Sequence, residues 1–256
     1  MLHVDVQGRG PALVLLHGWG LHGEVFAPLR EPLAAHFSVY TVDLPGHGRS
    51  AHLAVPGTLS GWAAAVLDAV PDAPWLGWSL GGLVAQQAAL QAPGRVQGLI
   101  AIASSPCFSR RADWPHGIDP AVLEGFTAHL HAHYTDTVER FLALDLINLP
   151  GGQQAATGLR DALLAVGRPS EAAITGGGQL LRHTDLRPQL PHLQVPSLWL
   201  AGQRDRLAPP PAMAAAAALA RQAQSVTVPG TGHAPFLGDT AAVCQAVLQF
   251  QRLLTQ

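Results

Sequence analysis

The sequence predicts an α/β fold, in which a mostly parallel central sheet is flanked by helices and interrupted by a helical insertion. Continuous apolar runs, typical of strands buried on both faces, alternate along the chain with stretches of helical patterning. This alternation implies a parallel sheet with right-handed crossovers. It lapses from about residue 106 to 181. The 256 residues, 48% of them apolar, suffice for one large domain with an insertion.

Each predicted element rests on its own local pattern. The predicted strands are short apolar runs bounded by turn residues. They cover 11–16, 37–43, 96–103, 195–202 and 225–228, with a further run before residue 77 and a short first strand and turn in 2–10. The helices predicted to flank them cover 26–36, 59–70, 83–90, 211–222 and 241–254.

The segment 108–181 lacks this alternation, and we interpret it as a helical lid on a core formed by 1–107 and 182–256. The glycine-containing patches 149–152 and 176–178 are interpreted as loops within the lid. The predicted lid helices cover 122–133, 138–146 and 159–166.

Composition argues against several classes of protein. The formal charge is −2 and only 12% of the residues are charged, so no strong field attracts nucleic acid or an anionic membrane. No run approaches the ~20 apolar residues of a membrane helix, and no signal peptide is recognised. Cys107 and Cys244 form neither a disulfide framework nor a metal motif. We expect a cytoplasmic monomer that binds no metal, cofactor, nucleic acid or membrane.

A pentapeptide of the pattern G-x-S-x-G, from Gly77 to Gly81, lies between an apolar run and a helical run. This context is typical of a nucleophile elbow, where a strand turns sharply into a helix and exposes the central side chain, here Ser79. The two glycines let strand and helix cross closely, and the helix N-terminus favours developing negative charge. Alone, the pattern is equally compatible with a tight turn around a buried serine.

A serine nucleophile needs a base and a group that orients the base, and the chain order expected here is serine, acid, histidine. His233 lies in a glycine-flanked loop after the last predicted strand, and it is the predicted base. Among the other histidines, His17 is the main alternative. It precedes the glycine-rich loop after the first long strand, and we expect it to support that loop.

Three aspartates compete for the orienting role. Asp205 follows the strand predicted at 195–202, although it could instead pair with Arg204 or Arg206. Asp185 lies before that strand, and Asp239 follows the histidine, which breaks the expected order. Asp205 is therefore the predicted acid.

The tetrahedral intermediate of such a reaction needs hydrogen-bond donors for its oxyanion. The predicted donors are the backbone N–H of Leu80, directly after the nucleophile, and that of Trp19, between Gly18 and Gly20. Loss of one such donor typically costs ~3 kcal/mol of transition-state stabilisation. The Trp19 side chain is expected to contact the acyl group or to join the core, and Trp78 to join the core or a pocket wall.

Four separated motifs together resemble the α/β-hydrolases: 17–20, 43–50, 77–82 and 232–236. Further stretches are more narrowly similar to the pimeloyl-[acyl-carrier protein] methyl ester esterases of biotin biosynthesis: 15–21, 75–85, 103–109, 113–115 and 137–144. The similarity runs nearly from end to end. It includes stretches of the lid, the part that varies most among α/β-hydrolases.

This resemblance implies a carboxylesterase that removes the methyl group from a pimeloyl methyl ester carried on acyl carrier protein. It implies Ser79, Asp205 and His233 as the catalytic triad, with Trp19 and Leu80 at the oxyanion site. Small esters are implied as further substrates. Contacts with the substrate are implied for all of these residues except the aspartate, and for one stretch of the lid: Phe141, Leu142, Ala143, Leu144 and Asp145.

One departure from the resembled family concerns the carrier protein. There a basic face of the lid meets the acidic carrier, whereas here Arg140, Arg160 and Arg168 are interspersed with acidic residues of the lid: Asp136, Glu139, Asp145 and Asp161. Arg110 and Arg111 at the hinge are alternative cations.

Two other hypotheses stay open. One is a general short-chain carboxylesterase with the same triad and no carrier preference. The other is a small-ligand receptor with a hydrolase-like fold, which a complete triad and oxyanion loop disfavour. A dehalogenase or epoxide hydrolase would need aspartate at the elbow, so Ser79 excludes both reactions.

Overall fold

The computed structural model describes residues 1–146 and 152–254, and a seven-stranded sheet lies at its centre. The strands are β1 (Val4–Gln7), β2 (Ala12–Leu16), β3 (Ser38–Val42), β4 (Ala73–Trp78), β5 (Val96–Ile102), β6 (Ser197–Gly202) and β7 (Ala223–Val228). Their spatial order is β1-β3-β2-β4-β5-β6-β7. All neighbours pair in parallel except β1 and β3, which are antiparallel. The prediction of a mostly parallel sheet is confirmed.

Ten α-helices surround the sheet in the described chain. They are α1 (Ala27–Ala34), α2 (Leu59–Leu67), α3 (Leu80–Gln91), α4 (Pro120–Ala132), α5 (Tyr134–Leu146), α6 (Gly152–Val166), α7 (Glu171–His183), α8 (Pro210–Leu219), α9 (Pro235–Gly238) and α10 (Thr240–Leu254). The predicted helices are confirmed in type, with ends displaced by a few residues in the core, while α7 and the short α9 were not predicted. Within the two described ranges, no helix combines the length and the apolar character that membrane crossing requires.

The inner strands β2, β4, β5 and β6 are almost wholly buried on both faces, which explains why their apolar runs are continuous. In β2, Leu13 and Leu15 join one apolar cluster, whereas Val14 and Leu16 join the other. Successive side chains of a strand point to opposite faces, so β2 contributes to both clusters. Helices α2, α3 and α8 cover the first face, and α1 and α10 cover the second.

The insertion between β5 and β6 holds four helices, in which α4 packs against α7 and α5 against α6. The predicted helices of this region correspond to α4, α5 and α6. The interpretation of 176–178 as a loop is wrong, because these glycines lie inside α7. The patch at 149–152 lies outside the described residues except for Gly152, the first residue of α6.

Helix α7 keeps Gly177 and Gly178 because neighbouring groups approach too closely for side chains. A Cβ added to Gly177 would lie 2.4 Å from the Trp19 ring, and one added to Gly178 would lie 2.7 Å from the Thr127 hydroxyl. Ser170 caps the N-terminus of the helix with its side chain. Each glycine costs a helix roughly 1 kcal/mol, and here tertiary packing offsets that cost.

Candidate active site

Ser79 occupies the turn between β4 and α3 in a strained backbone conformation. Its φ is 54° and its ψ is −121°, values that a residue with a side chain rarely adopts. A Cβ added to Gly77 would lie 2.4 Å from the Gly81 carbonyl oxygen, and one added to Gly81 would lie 2.2 Å from the Leu16 carbonyl oxygen. Glycine is therefore required at both positions, and the predicted strand, turn and helix are present at the carboxyl edge of the sheet.

The structure brings the three predicted polar side chains together in one chain of hydrogen bonds. The His233 Nε2 lies 3.0 Å from the Ser79 Oγ, and the His233 Nδ1 lies 2.9 Å from the Asp205 Oδ2. The other carboxylate oxygen of Asp205 accepts hydrogen bonds from the backbone N–H groups of Leu207 and Ala208, at 2.8 and 3.1 Å. The carboxylate is thus fixed on both oxygens, and it orients the imidazole toward the serine.

Electrostatics favour an ionised aspartate beside a basic imidazole. Burial opposes the charged form of Asp205, but the charge and hydrogen bond of His233 hold the pKa of this carboxyl below its ordinary value. Burial would lower the pKa of His233. The negative charge of Asp205 raises the pKa by more than burial lowers it, and the charge of Asp145 raises it further. The pKa of the imidazole therefore lies above its ordinary value.

The competing aspartates have other partners. Asp185 forms an ion pair with Arg187 at 2.7 Å, and the Asp239 carboxylate accepts a hydrogen bond from the first turn of α10 at 2.9 Å. Asp205 forms no ion pair with Arg204 or Arg206, because both of its oxygens bond to other groups. Of these aspartates, only Asp205 is bonded to His233.

Two buried histidines hold the glycine-rich loop 17–20 in place. His17 donates from Nδ1 to the Gly18 carbonyl at 2.8 Å, and its Nε2 accepts from the Leu44 N–H at 2.9 Å. His47 Nε2 accepts from the Gly20 N–H at 3.3 Å. Burial lowers the pKa of each ring to about 3, so both are neutral and can accept these hydrogen bonds. The expectation that His17 supports the loop is confirmed.

The proposed oxyanion donors come from two separate segments of the chain. Leu80 begins α3, and Trp19 lies in the loop that the two histidines hold. Among the hydrogen bonds of the described chain, none uses the backbone N–H of either residue. The Trp19 indole donates to the Ile174 carbonyl of α7 at 3.1 Å and packs against Phe126 of α4, so this side chain joins the core to the insertion.

A largely apolar cavity of about 840 Å³ opens above these groups. The sheet side contributes Trp19, Trp78, Ser79 and His233. Trp78 donates from its indole N–H to the His233 carbonyl at 2.8 Å and packs against Phe141, so it serves both as a pocket wall and as a support of the histidine. One wall is therefore built of aromatic side chains beside the serine.

Helix geometry divides the lid stretch that was predicted to contact substrate. Phe141, Leu144 and Asp145 line the cavity, because residues three and four apart share one face of α5. Leu142 instead packs into the core with 1% exposure, and Ala143 faces solvent. Leu142 and Ala143 therefore do not line the cavity, and they are not placed to make the contacts with substrate that were expected of them.

Sequence reasoning missed the contribution of α4. Its residues Val122, Phe126 and Leu130 line the cavity opposite the sheet. The signal was present, since these apolar residues recur every four positions and two of them are exposed large side chains. An exposed apolar stripe on a helix indicates a surface that contacts another group, and here the stripe of α4 lines the cavity.

Neither cysteine carries chemistry at this site. Cys107 and Cys244 are free, buried thiols whose pKa values burial raises, so neither is a ready thiolate. In the part of the chain that the structure describes, no cluster of three or more histidine, cysteine or carboxylate side chains is arranged to hold a metal ion.

Comparison with known proteins agrees with this geometry. The family model of the alpha/beta hydrolase fold matches residues 11–240. A protein of Stenotrophomonas maltophilia named pimeloyl-[acyl-carrier protein] methyl ester esterase is 50% identical over 254 residues, which cover 99% of this chain and 98% of that protein. A protein of Xanthomonas oryzae with the same name is 50% identical over 249 residues, which cover 97% of this chain and 98% of that one.

Solved structures show the same architecture. A hydrolase of Pseudomonas aeruginosa superposes with a TM-score of 0.81 at 26% identity, covering 98% of this chain and 94% of that one. An esterase of Exiguobacterium antarcticum superposes with a TM-score of 0.85 at 19% identity, covering 100% and 96%, and this likeness shows the fold alone. The chain therefore belongs to the α/β hydrolases, in the family of the proteins named pimeloyl-[acyl-carrier protein] methyl ester esterase.

Proposed function

We propose that this chain hydrolyses the methyl ester of a pimeloyl group carried on acyl carrier protein, a step of biotin biosynthesis. The observation that carries the proposal is the hydrogen-bond chain from Ser79 through His233 to Asp205 at the base of an apolar cavity. The names of relatives that are 50% identical over nearly the whole chain supply the substrate.

In the first step, the Ser79 Oγ attacks the ester carbonyl while His233 Nε2 takes the hydroxyl proton. Asp205 holds the imidazole in the tautomer that leaves Nε2 free to accept, and it stabilises the imidazolium that forms. The oxyanion is stabilised by the open backbone N–H groups of Trp19 and Leu80. Each of these donors is fixed before the reaction, so little reorganisation opposes the step.

In the second half of the reaction, His233 returns the proton to the departing methoxide oxygen, and methanol leaves. A water molecule then gives its proton to His233 and attacks the acyl-enzyme, which frees the carboxylate and Ser79. The insertion covers the reacting atoms, and we propose that it acts as a lid over this chemistry.

The shape of the cavity suits an ester at the far end of an apolar chain. With the ester at Ser79, the methylene chain runs along Phe141 and Leu144 of α5 toward the opening. The end of the chain that is linked to the carrier then lies at the mouth. A carrier-bound methyl ester fits this arrangement because its reacting group and its bulky attachment are at opposite ends.

The test compares kcat/KM for pimeloyl methyl ester on acyl carrier protein with that for the same ester on a small thiol. We expect at least a tenfold preference for the carrier form, about 1.4 kcal/mol of transition-state binding. Ser79→Ala should abolish turnover of both substrates, whereas Ser225→Ala, on the exposed surface of β7, should not. Activity that survives Ser79→Ala contradicts the mechanism.

The second candidate is a short-chain carboxylesterase with no carrier preference. It is favoured by the state of the lid arginines: Arg140 pairs with Asp136 at 3.3 Å and Arg160 with Asp161 at 2.8 Å. A lid whose cations are already paired offers little to an acidic carrier. Equal kcat/KM for the two substrates selects this candidate and leaves the triad mechanism intact.

A further inference from the structure

The opening of the cavity carries exposed apolar side chains from three elements. In the described chain, four of the large apolar residues with high exposure also line the cavity: Val122, Phe126, Leu144 and Leu207. Leu144 is 80% exposed although it sits at the edge of a ligand cavity. Soluble proteins rarely gather such residues in one place unless another molecule covers them.

Two arginines border the same opening on the core side. Arg204 and Arg206 are exposed, line the cavity, and lie on either side of the buried Asp205 in the loop after β6. Because the Asp205 oxygens bond to His233 and to backbone N–H groups, the aspartate forms no ion pair with either arginine. Neither guanidinium has an ion-pair partner among the residues that the structure describes.

Four arginines on the helices of the insertion differ in this respect. Arg140 and Arg160 pair with carboxylates of the lid, as described above, and two more arginines do the same. The further pairs are Arg168 with Glu171 at 2.5 Å and Arg182 with Glu124 at 3.3 Å. The unpaired positive charge at the opening therefore lies on the core and not on the lid.

We infer that this opening is the docking surface for the acidic acyl carrier protein, with Arg204 and Arg206 as its cationic contacts. We call it the mouth surface, defined by Val122, Phe126, Leu144, Arg204, Arg206 and Leu207. The inference rests on the proposed function, which leaves the carrier-linked end of the acyl chain at the mouth. An acidic partner is selected because the two free cations lie beside an apolar patch, where partial exclusion of water strengthens the attraction.

This placement of charge has a kinetic consequence. Charged groups at the edge of an interface act mainly through the rate of encounter, and added salt screens them. The preference for the carrier form should therefore fall as ionic strength rises, while hydrolysis of an uncharged ester should be much less sensitive. The chain as a whole has a net charge of only −2, so this attraction has to be local.

The experiment uses the ratio of kcat/KM values for two substrates, the methyl ester on acyl carrier protein and the same ester on pantetheine. In Arg204→Gln/Arg206→Gln we expect this ratio to fall at least tenfold. The matched control is Arg9→Gln/Arg221→Gln, which removes two exposed arginines at the amino ends of β2 and β7, on the opposite edge of the sheet. The control should keep the wild-type ratio. If the double variant does not fold, each single variant is measured in its place.

The outcomes separate this inference from the proposed function. A ratio near one in the wild type contradicts the carrier-bound substrate of the proposed function, and the docking surface is then contradicted as well. A high wild-type ratio that survives Arg204→Gln/Arg206→Gln overturns only the docking surface. A third substrate, the ester on 4′-phosphopantetheine, isolates the phosphate of the carrier's arm. An equal loss with this small substrate overturns the contact with the carrier protein, because the phosphate alone then accounts for it.

Discussion

The two sides of the cavity are built on different principles. On the core side, Ser79, Asp205 and His233 lie on loops at the carboxyl ends of strands, and each is fixed by backbone geometry or buried hydrogen bonds. The insertion, which we propose to be a lid, contributes helix faces whose apolar residues form a wall, and its arginines Arg140 and Arg160 pair with carboxylates at the exposed surface. Bond-making chemistry needs atoms held within tenths of an ångström, whereas binding a methylene chain needs mainly apolar surface.

The division is not complete, because residues of the insertion also contact the loops that hold the proposed catalytic groups. Gly177 of α7 lies against both Trp19 and Leu80, since an added Cβ would meet the indole at 2.4 Å and the Leu80 side chain at 3.1 Å. Asp145 of α5 accepts a hydrogen bond from the Ala234 N–H at 3.2 Å, directly after His233. These contacts link the insertion to the loop of the proposed oxyanion donor Trp19 and to the loop of His233.

The core side should be the less tolerant of change. In Asp205→Asn we expect kcat to fall by about 10⁴-fold, because the amide favours the wrong tautomer of His233 and cannot stabilise its positive charge. The measurement is kcat for a small methyl ester, with Asp239→Asn as the control, since Asp239 bonds only within the first turns of α9 and α10. A loss below tenfold would mean that another group orients His233.

The same residue should make stability depend on pH. The pKa of Asp205 in the folded protein lies below its ordinary value, so its charged form stabilises the fold above the unfolded pKa of about 3.9. This contribution is lost as the pH falls through the lower, folded pKa. Urea unfolding of the wild type and of Asp205→Asn on both sides of pH 4 measures this contribution. The free energy of unfolding of the wild type should fall below pH 4, and the variant should lack the part of that fall that Asp205 causes.

Gly177→Ala tests whether the lid supports the oxyanion site. The added methyl group should displace the Trp19 indole and with it the loop that we propose donates to the oxyanion, so kcat/KM should fall on the order of 10- to 100-fold. Gly158→Ala is the matched control, because this glycine of α6 has no atom within 4 Å of an added Cβ. The control should stabilise the protein by about 0.5–1 kcal/mol and leave activity intact. If Gly177→Ala and Gly158→Ala have equal activity, the idea that α7 supports the oxyanion site is contradicted.

Asp145→Asn should have the smallest effect and should appear in the pH profile. The side chain can still accept from Ala234, but its charge no longer favours the imidazolium of His233. The pKa of His233 then falls, and because the base must be neutral, the acidic limb of kcat/KM moves to lower pH. The remaining charged neighbour of His233 is Asp205. Asp136→Asn, an exposed position of α5 paired with Arg140, is the control and should leave the limb unchanged.

The core side was predictable because its requirements are local in sequence. The elbow shows as two glycines around Ser79 and the sheet as apolar runs, whereas the proposed triad was predicted from the chain order of Ser79, Asp205 and His233 and not from a local pattern. The lid was harder to predict because its requirements are not local. The glycines at 176–178 look like a loop until the indole of Trp19, far away in sequence, is placed against them.

The sequence by itself determined the strands, the elbow and the family, because periodicity, turn chemistry and motif spacing are properties of neighbouring residues. Only the tertiary structure decided three other features. It placed Phe141, Leu144 and Asp145 on the cavity wall and the two residues between them elsewhere. It bonded Asp205 to His233 and not to the neighbouring arginines, and it paired Arg140 and Arg160 of the insertion while leaving Arg204 and Arg206 without an ion pair in the described chain. Each depends on which distant side chain comes within contact distance, and that is fixed only when the helices pack on the sheet.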